Sequence, residues 1–94
     1  MQAITTKYIG PSNVKGSRVK ALAYSGSITL SWDSSLNTDQ NHKVAAYALA
    51  TKYGWTGRWV GGELPAGSGN AYVCVDGAYG DEFTIEEAEL RPGP

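Results

Sequence analysis

Apolar and polar side chains alternate from the start of the chain. Ile4, Thr6 and Tyr8 interleave with Thr5, Lys7 and Ile9, a period of two that suits a strand. Gly10-Pro11-Ser12-Asn13 interrupts it with turn-forming chemistry, and Gly16 marks a second bend. From Arg18 to Tyr24 the alternation returns, with Val19, Ala21 and Ala23 on one face and Arg18, Lys20, Leu22 and Tyr24 on the other. A short Ser25-Gly26 connection predicts a hairpin into a third strand. That strand places Ile28, Leu30 and Trp32 inward and Ser27, Thr29 and Ser31 outward.

The period then changes. Asn37 or Thr38 can cap a helix, and Asn37 with Gln40 three residues later resembles a capping box. Asp39 in the first turn complements the helix dipole. The helix is expected to run to Tyr53 and stop at Gly54, a natural C′ residue. Its expected buried stripe is small: Ala45, Ala48 and Leu49, flanked by Val44 and Tyr53. Such a face lets the helix lie close to a sheet, with Trp32 or Trp55 filling the remaining gap.

Beyond the helix, Arg58-Trp59-Val60 reads as a fourth strand ended by Gly61-Gly62, and Leu64 to Asn70 as a mobile loop. Ala71 to Val75 reads as a fifth strand. The stretch from Asp81 to Leu90 reads either as a sixth strand, Phe83-Thr84-Ile85, or as one short helix over Glu82 to Leu90, with the strand favoured. The order β-β-β-α-β-β predicts the α+β class: an antiparallel sheet with one helix packed on one face. One domain over residues 1–90 is expected, with a disordered tail at 91–94 and neither repeat nor linker. The pattern does not say which face of the sheet the helix covers.

Composition adjusts this picture at a few points. With 94 residues, 41% of them hydrophobic and 18% charged, the chain can bury a modest core. A single cysteine, Cys74, excludes an internal disulfide, and with a single histidine, His42, it excludes a zinc site built from Cys and His alone. Cys74 lies in the apolar run Ala71 to Val75 and reads as a buried, inert thiol. The opening from Met1 to Lys7 has no basic region followed by an apolar one, so it does not read as a signal peptide. No apolar stretch approaches the length of a membrane span. The expectation is a soluble, cytoplasmic protein with no membrane partner.

Charge is unevenly spread. Residues 1–75 hold seven basic side chains against the three acids Asp33, Asp39 and Glu63, while residues 76–94 hold six acids against Arg91 alone. The acidic segment is either a separate contact surface or a partner for the basic part of the chain.

No catalytic constellation emerges, and the chain reads as a non-enzyme without a cofactor or metal. A Ser-His-Asp arrangement would need His42, which falls in the first turn of the helix and is expected to face solvent. The glycine pairs Gly61-Gly62 and Gly67-Ser68-Gly69 lack the Gly-Lys-Ser/Thr continuation that holds a phosphate. Two binding sets remain. Lys7, Tyr8, Arg18 and Lys20 lie on neighbouring predicted strands and Lys15 on the intervening loop, an arrangement that can hold phosphates or stack bases. The plainer explanation is that an uncovered sheet face is ordinarily polar and that edge lysines discourage aggregation. Trp55, Arg58 and Trp59 form the second set, of the residue types that dominate protein contacts, although at least one of these tryptophans is needed for a core this small.

The opening Ile4-Thr5-Thr6-Lys7-Tyr8-Ile9-Gly10-Pro11-Ser12-Asn13, continuing Gly16-Ser17-Arg18-Val19-Lys20-Ala21, resembles a family of small proteins encoded by bacteriophages, plasmids and integrative elements. The likeness continues through Trp32-Asp33, Asn41-His42, Ala45-Ala46, Ala48-Leu49-Ala50, Gly54-Trp55 and Trp59 to Gly62, covering about residues 3–75. The acidic residues after Val75 are less typical of it. What the resemblance implies is a setting, an accessory protein of a mobile element inside a bacterial cell, and it carries no site residues over. In that setting the first expectation is an inhibitor of a host defence system, acting on a protein of the defence complex or sequestering its ligand. The second is a nucleic-acid or nucleotide binder using the basic sheet face, and the third a homo-oligomeric structural protein.

Overall fold

The computed structural model describes residues 2–75 and 82–85 of the chain. Strands β1 (Ile4–Ile9), β2 (Arg18–Ala23) and β3 (Gly26–Ser31) form a meander, followed by helix α1 (Thr38–Lys52). Strands β4 (Gly57–Glu63), β5 (Asn70–Val75) and β6 (Glu82–Ile85) complete the order. The sheet runs β3-β2-β1-β5-β4-β6, and every neighbouring pair is antiparallel. This is the expected α+β architecture, with the favoured C-terminal strand present as β6. The remainder of the alternative helix and the tail expected at 91–94 lie outside the described residues, as do acidic positions 76–81 and 86–94.

The helix begins where the capping pattern places it. The Asn37 side chain accepts from the Gln40 N–H at 2.8 Å, and the Gln40 side chain accepts from the Asn37 N–H at 2.9 Å, so two otherwise orphaned donors are satisfied reciprocally. At the other end, Trp55 N–H donates to the Ala50 carbonyl at 2.9 Å and Gly54 N–H to that of Thr51 at 3.1 Å, with Gly54 left-handed at φ 70°. This six-to-one and five-to-two pair ends the helix with Tyr53 as its cap, one residue earlier than expected.

The core lies between α1 and one face of the sheet. Ile4, Val19, Ala21, Ala23, Trp59 and Tyr72 from the strands meet Ala45, Ala46, Leu49 and Ala50 from the helix. Alanine on both sides brings the backbones close, and aromatic rings fill the wider end. Tyr53, Trp55 and Trp59 stack in series with ring centroids 5.2 and 6.2 Å apart.

The buried helix stripe differs from the expected one. It comprises Asn41, His42, Ala45, Ala46, Leu49 and Ala50, whereas Val44 is 46% exposed and Ala48 only partly covered. The helix is therefore rotated toward Ala46 and Ala50, because the small side chains on β2 leave room for that side. The β2–β3 turn falls on Tyr24 and Ser25, one residue earlier than expected, with Gly26 opening β3 opposite Ala23. Strand β4 continues through Gly61 and Gly62 to Glu63, paired with β5 along its length. The segment expected to be a loop, Leu64 to Asn70, contains a 3-10 turn at Pro65–Gly67, and Asn70 already belongs to β5. Cys74 is half-buried, its thiol 3.8 Å from the Thr56 carbonyl. No helix among the described residues is long and apolar enough to cross a membrane.

Candidate anion-binding face

Because alternate residues of a strand point to opposite faces, the helix-covered side takes Ile4 and Thr6 of β1 and Val19 and Ala21 of β2. The open side takes Thr5, Lys7 and Ile9, together with Arg18, Lys20 and Leu22. The β1–β2 register sets Lys7 directly opposite Lys20, and Ile9 opposite Arg18. On β3, Thr29 stands opposite Lys20 and Ser31 opposite Arg18. Lys7, Arg18 and Lys20 thus share one surface, the point on which the sequence was silent.

No acidic residue occurs in β1, β2, β3 or β5. Among the described residues, none forms an ion pair with these three cations. Like charges directly opposite each other on adjacent strands weaken a sheet. Edge protection does not account for them, because β1 and β2 are both interior strands.

A hollow of about 150 Å³ lies at this pair, lined by Thr5, Thr6, Lys7, Lys20, Leu22, Leu64 and Ser68. Strand β5 begins opposite Thr6, so the segment leading into it stands beside Lys7 and makes one wall. Gly69 packs its backbone against the Thr6 carbonyl, at φ 137°, so closely that any Cβ there would overlap it. The wall is fastened by Leu64 N–H to the Gly69 carbonyl at 2.7 Å and by the Ser68 hydroxyl to the Pro65 carbonyl at 2.9 Å. Within it, Ala66 holds a left-handed conformation at φ 61°, a cost for a residue with a Cβ.

The other residues of the basic set divide. Lys15 is exposed on the loop before β2. Tyr8 leaves the set: it points to the opposite side of β1, where its hydroxyl lies 2.8 Å from the Ser17 Oγ and its ring meets Trp32 edge-on at 5.1 Å. No described position on the open face is aromatic, so the expected combination of cations and stacking rings on one sheet surface is not present there. Arg58 joins the open face from β4, and its Nε is buried without a hydrogen-bond partner.

The expected Trp55–Arg58–Trp59 contact surface is divided by the same alternation. Trp59 is fully buried beneath the helix, Trp55 is stacked on it, and Arg58 faces the other way. The core claims Trp59, while Trp55 is partly buried against it.

His42 is also corrected. It is 3% exposed, with Nδ1 2.7 Å from the Thr6 Oγ1, which itself lies 3.4 Å from the Asn70 carbonyl. Burial holds the imidazole below its ordinary range, opposed in part by the Asp39 carboxylate. The signal was in the sequence: His42, Ala45, Ala46, Leu49 and Ala50 follow the three-four spacing of a buried helix stripe. A buried neutral histidine bonded to a threonine ties the helix to β1 and does no visible chemistry.

Compared with protein-family models, curated proteins and solved structures, the chain matches none of them.

Proposed function

We propose that this chain is a non-enzymatic binding protein whose open sheet face holds a phosphate-bearing ligand. The observation that carries the reading is the Lys7–Lys20 pair, opposed on two interior strands and lacking a described carboxylate. A fold keeps such a repulsive pair at a cost, and an anion held between the two ammonium groups offsets it. Arg18 on the same face extends the positive field.

In the mobile-element setting that the resemblance implies, such a protein inhibits a bacterial defence system by sequestering a phosphate-bearing ligand on which that system depends. The alternative of blocking a defence complex through a Trp-Arg surface is less favoured, since Trp59 is buried and Arg58 faces away from it.

Charge reversal tests the reading. Lys7→Glu and Lys20→Glu together, in a protein shown to be folded by circular dichroism, abolish binding of pyrophosphate measured by calorimetry. Wild-type binding weakens steeply as salt rises. Undiminished binding by the double variant removes the face from the account.

A further inference from the structure

We infer that the free edge of the sheet, strand β3, pairs with a second copy of this chain. The sheet ends at β3, and among the described residues no strand lies on its outer side. In an antiparallel pair, residues that bond the neighbouring strand alternate with residues that turn their backbone groups away from it. Trp32 N–H donates to the Ser17 carbonyl at 2.9 Å, which by the β2–β3 register assigns Leu30 and Ile28 to the bonded set. Ser27, Thr29 and Ser31 therefore turn their N–H and C=O groups outward. The Lys52 ammonium agrees with that direction, since it reaches the Ser27 carbonyl from the helix at 3.3 Å.

A row of unpaired backbone groups invites another strand, and proteins ordinarily guard it with charge, proline or a bulge. Gly26–Ser31 contains no charged residue and no proline, and it pairs with β2 without interruption. Lys7 and Lys20, which could guard an edge, stand on interior strands instead. Lys52 engages a single carbonyl of β3, and that oxygen keeps a second lone pair.

The order of side chains names a second copy as the occupant. Ser27-Ile28-Thr29-Leu30-Ser31 reads nearly alike in both directions. Turned antiparallel on itself about Thr29, it sets Thr29 opposite Thr29, Ser27 opposite Ser31 and Ile28 opposite Leu30. Hydroxyls then face hydroxyls on the open side of the sheet, and aliphatic side chains face each other on the helix side, pairings that stabilise adjacent strands. Ile28 and Leu30 are only partly buried in the single chain. Val44, 46% exposed, lies eight residues before Lys52 on the same flank of the helix, so the pairing brings the two Val44 flanks toward each other. Charge does not oppose the contact. The two Lys20 side chains stand three strand spacings apart, about 14 Å, which exceeds the Debye length of about 8 Å at physiological ionic strength.

Sedimentation of the whole chain across a concentration series tests the pairing. The wild type shifts from monomer to dimer as concentration rises. Thr29→Pro removes an N–H that points away from β2, a substitution that an edge strand tolerates. It weakens dimerisation by about tenfold or more, through the loss of one hydrogen bond from each copy. Cysteine cross-linking in a Cys74→Ser background is the second measurement, and it decides the matter should Thr29→Pro fail to fold. Facing residues of a bonded antiparallel pair have Cα atoms about 5.5 Å apart, within disulfide range, so Thr29→Cys yields a covalent dimer on mild oxidation. Ser27→Cys does not, because its two copies stand four residues apart along the strands, about 14 Å. A chain that stays monomeric at every concentration reached, a dimer untouched by Thr29→Pro, or equal cross-linking by both cysteines overturns the pairing.

Discussion

Thr5 and Thr6 are consecutive residues of the same strand, and their side chains take opposite faces of the sheet. Thr6 is 1% exposed, hydrogen-bonded to His42 and covered by the helix; Thr5 lines an open hollow beside Lys7 and Leu22. The same division separates Ala21 from Lys20 and Trp59 from Arg58. One face is closed by alanines and aromatic rings and is concerned with stability. The other carries, among the described residues, cations without ion pairs and two arginines, Arg18 and Arg58, whose Nε–H has no partner. What an alternating strand buries and what it presents are therefore separable, and substitution of neighbours can test each independently.

The largest expected contrast is at β4. Trp59→Ala removes a fully buried ring and costs about 3–5 kcal/mol, read from urea denaturation. Arg58→Ala, one residue earlier, changes stability by about 0.5 kcal/mol or less. Comparable losses at both positions would mean that the open face is itself covered, by a second copy or by the acidic segment.

Next come the two threonines. Thr6→Val leaves the His42 Nδ1 without its partner and costs about 1–3 kcal/mol. Thr5→Val stays within about 0.5 kcal/mol of wild type. The burial of His42 also predicts a pH dependence. Burial holds the folded His42 pKa below its ordinary 6.5, so below pH 6.5 the unfolded chain binds a proton that the folded chain resists. Stability is level above 6.5 and falls as pH drops from there toward the folded value. Asp33, also lowered, chiefly by the hydrogen bond from the Ser35 side chain, acts in the same direction only below its ordinary 3.8. Urea midpoints between pH 7.5 and pH 5 isolate the histidine, and His42→Gln flattens that slope.

The smallest effect is the most informative. Lys7→Glu turns a like-charged cross-strand pair into an opposite one and raises stability by about 0.2–1 kcal/mol. The same variant weakens pyrophosphate binding. A substitution that improves the fold while removing the ligand is the signature of a residue kept for function; a variant that loses both stability and binding assigns Lys7 a structural role.

The strands and the helix caps were legible because each depends on residues close in sequence. Asn37 with Gln40 and Gly54 at the helix end needed nothing beyond their own turns. The basic set was legible as a list, but its sharing of a face depended on where the helix packs, a tertiary outcome. Trp59 was misread because hot-spot residues and core residues are the same types, and only burial distinguishes them. Tyr8 was grouped with the cations by nearness in sequence, although the period of two places it on the other side. The free edge at β3 was not legible: which strand ends the sheet depends on β5 joining β1, a pairing between residues far apart in the chain.

The sheet order has a consequence for how the chain emerges from a ribosome. Strand β1 is made first yet occupies an interior position, and its partner Asn70 on β5 lies 64 residues after Thr6. At about 5–20 residues per second, roughly 3–13 s pass between their synthesis. Once Ser31 is made the meander β1–β3 has a bare edge at Thr6, and that edge stays open past the end of the helix until β5 is made. Of the two facing lysines only Lys7 stands on that transient edge, since β2 already lies between β1 and β3 and encloses Lys20.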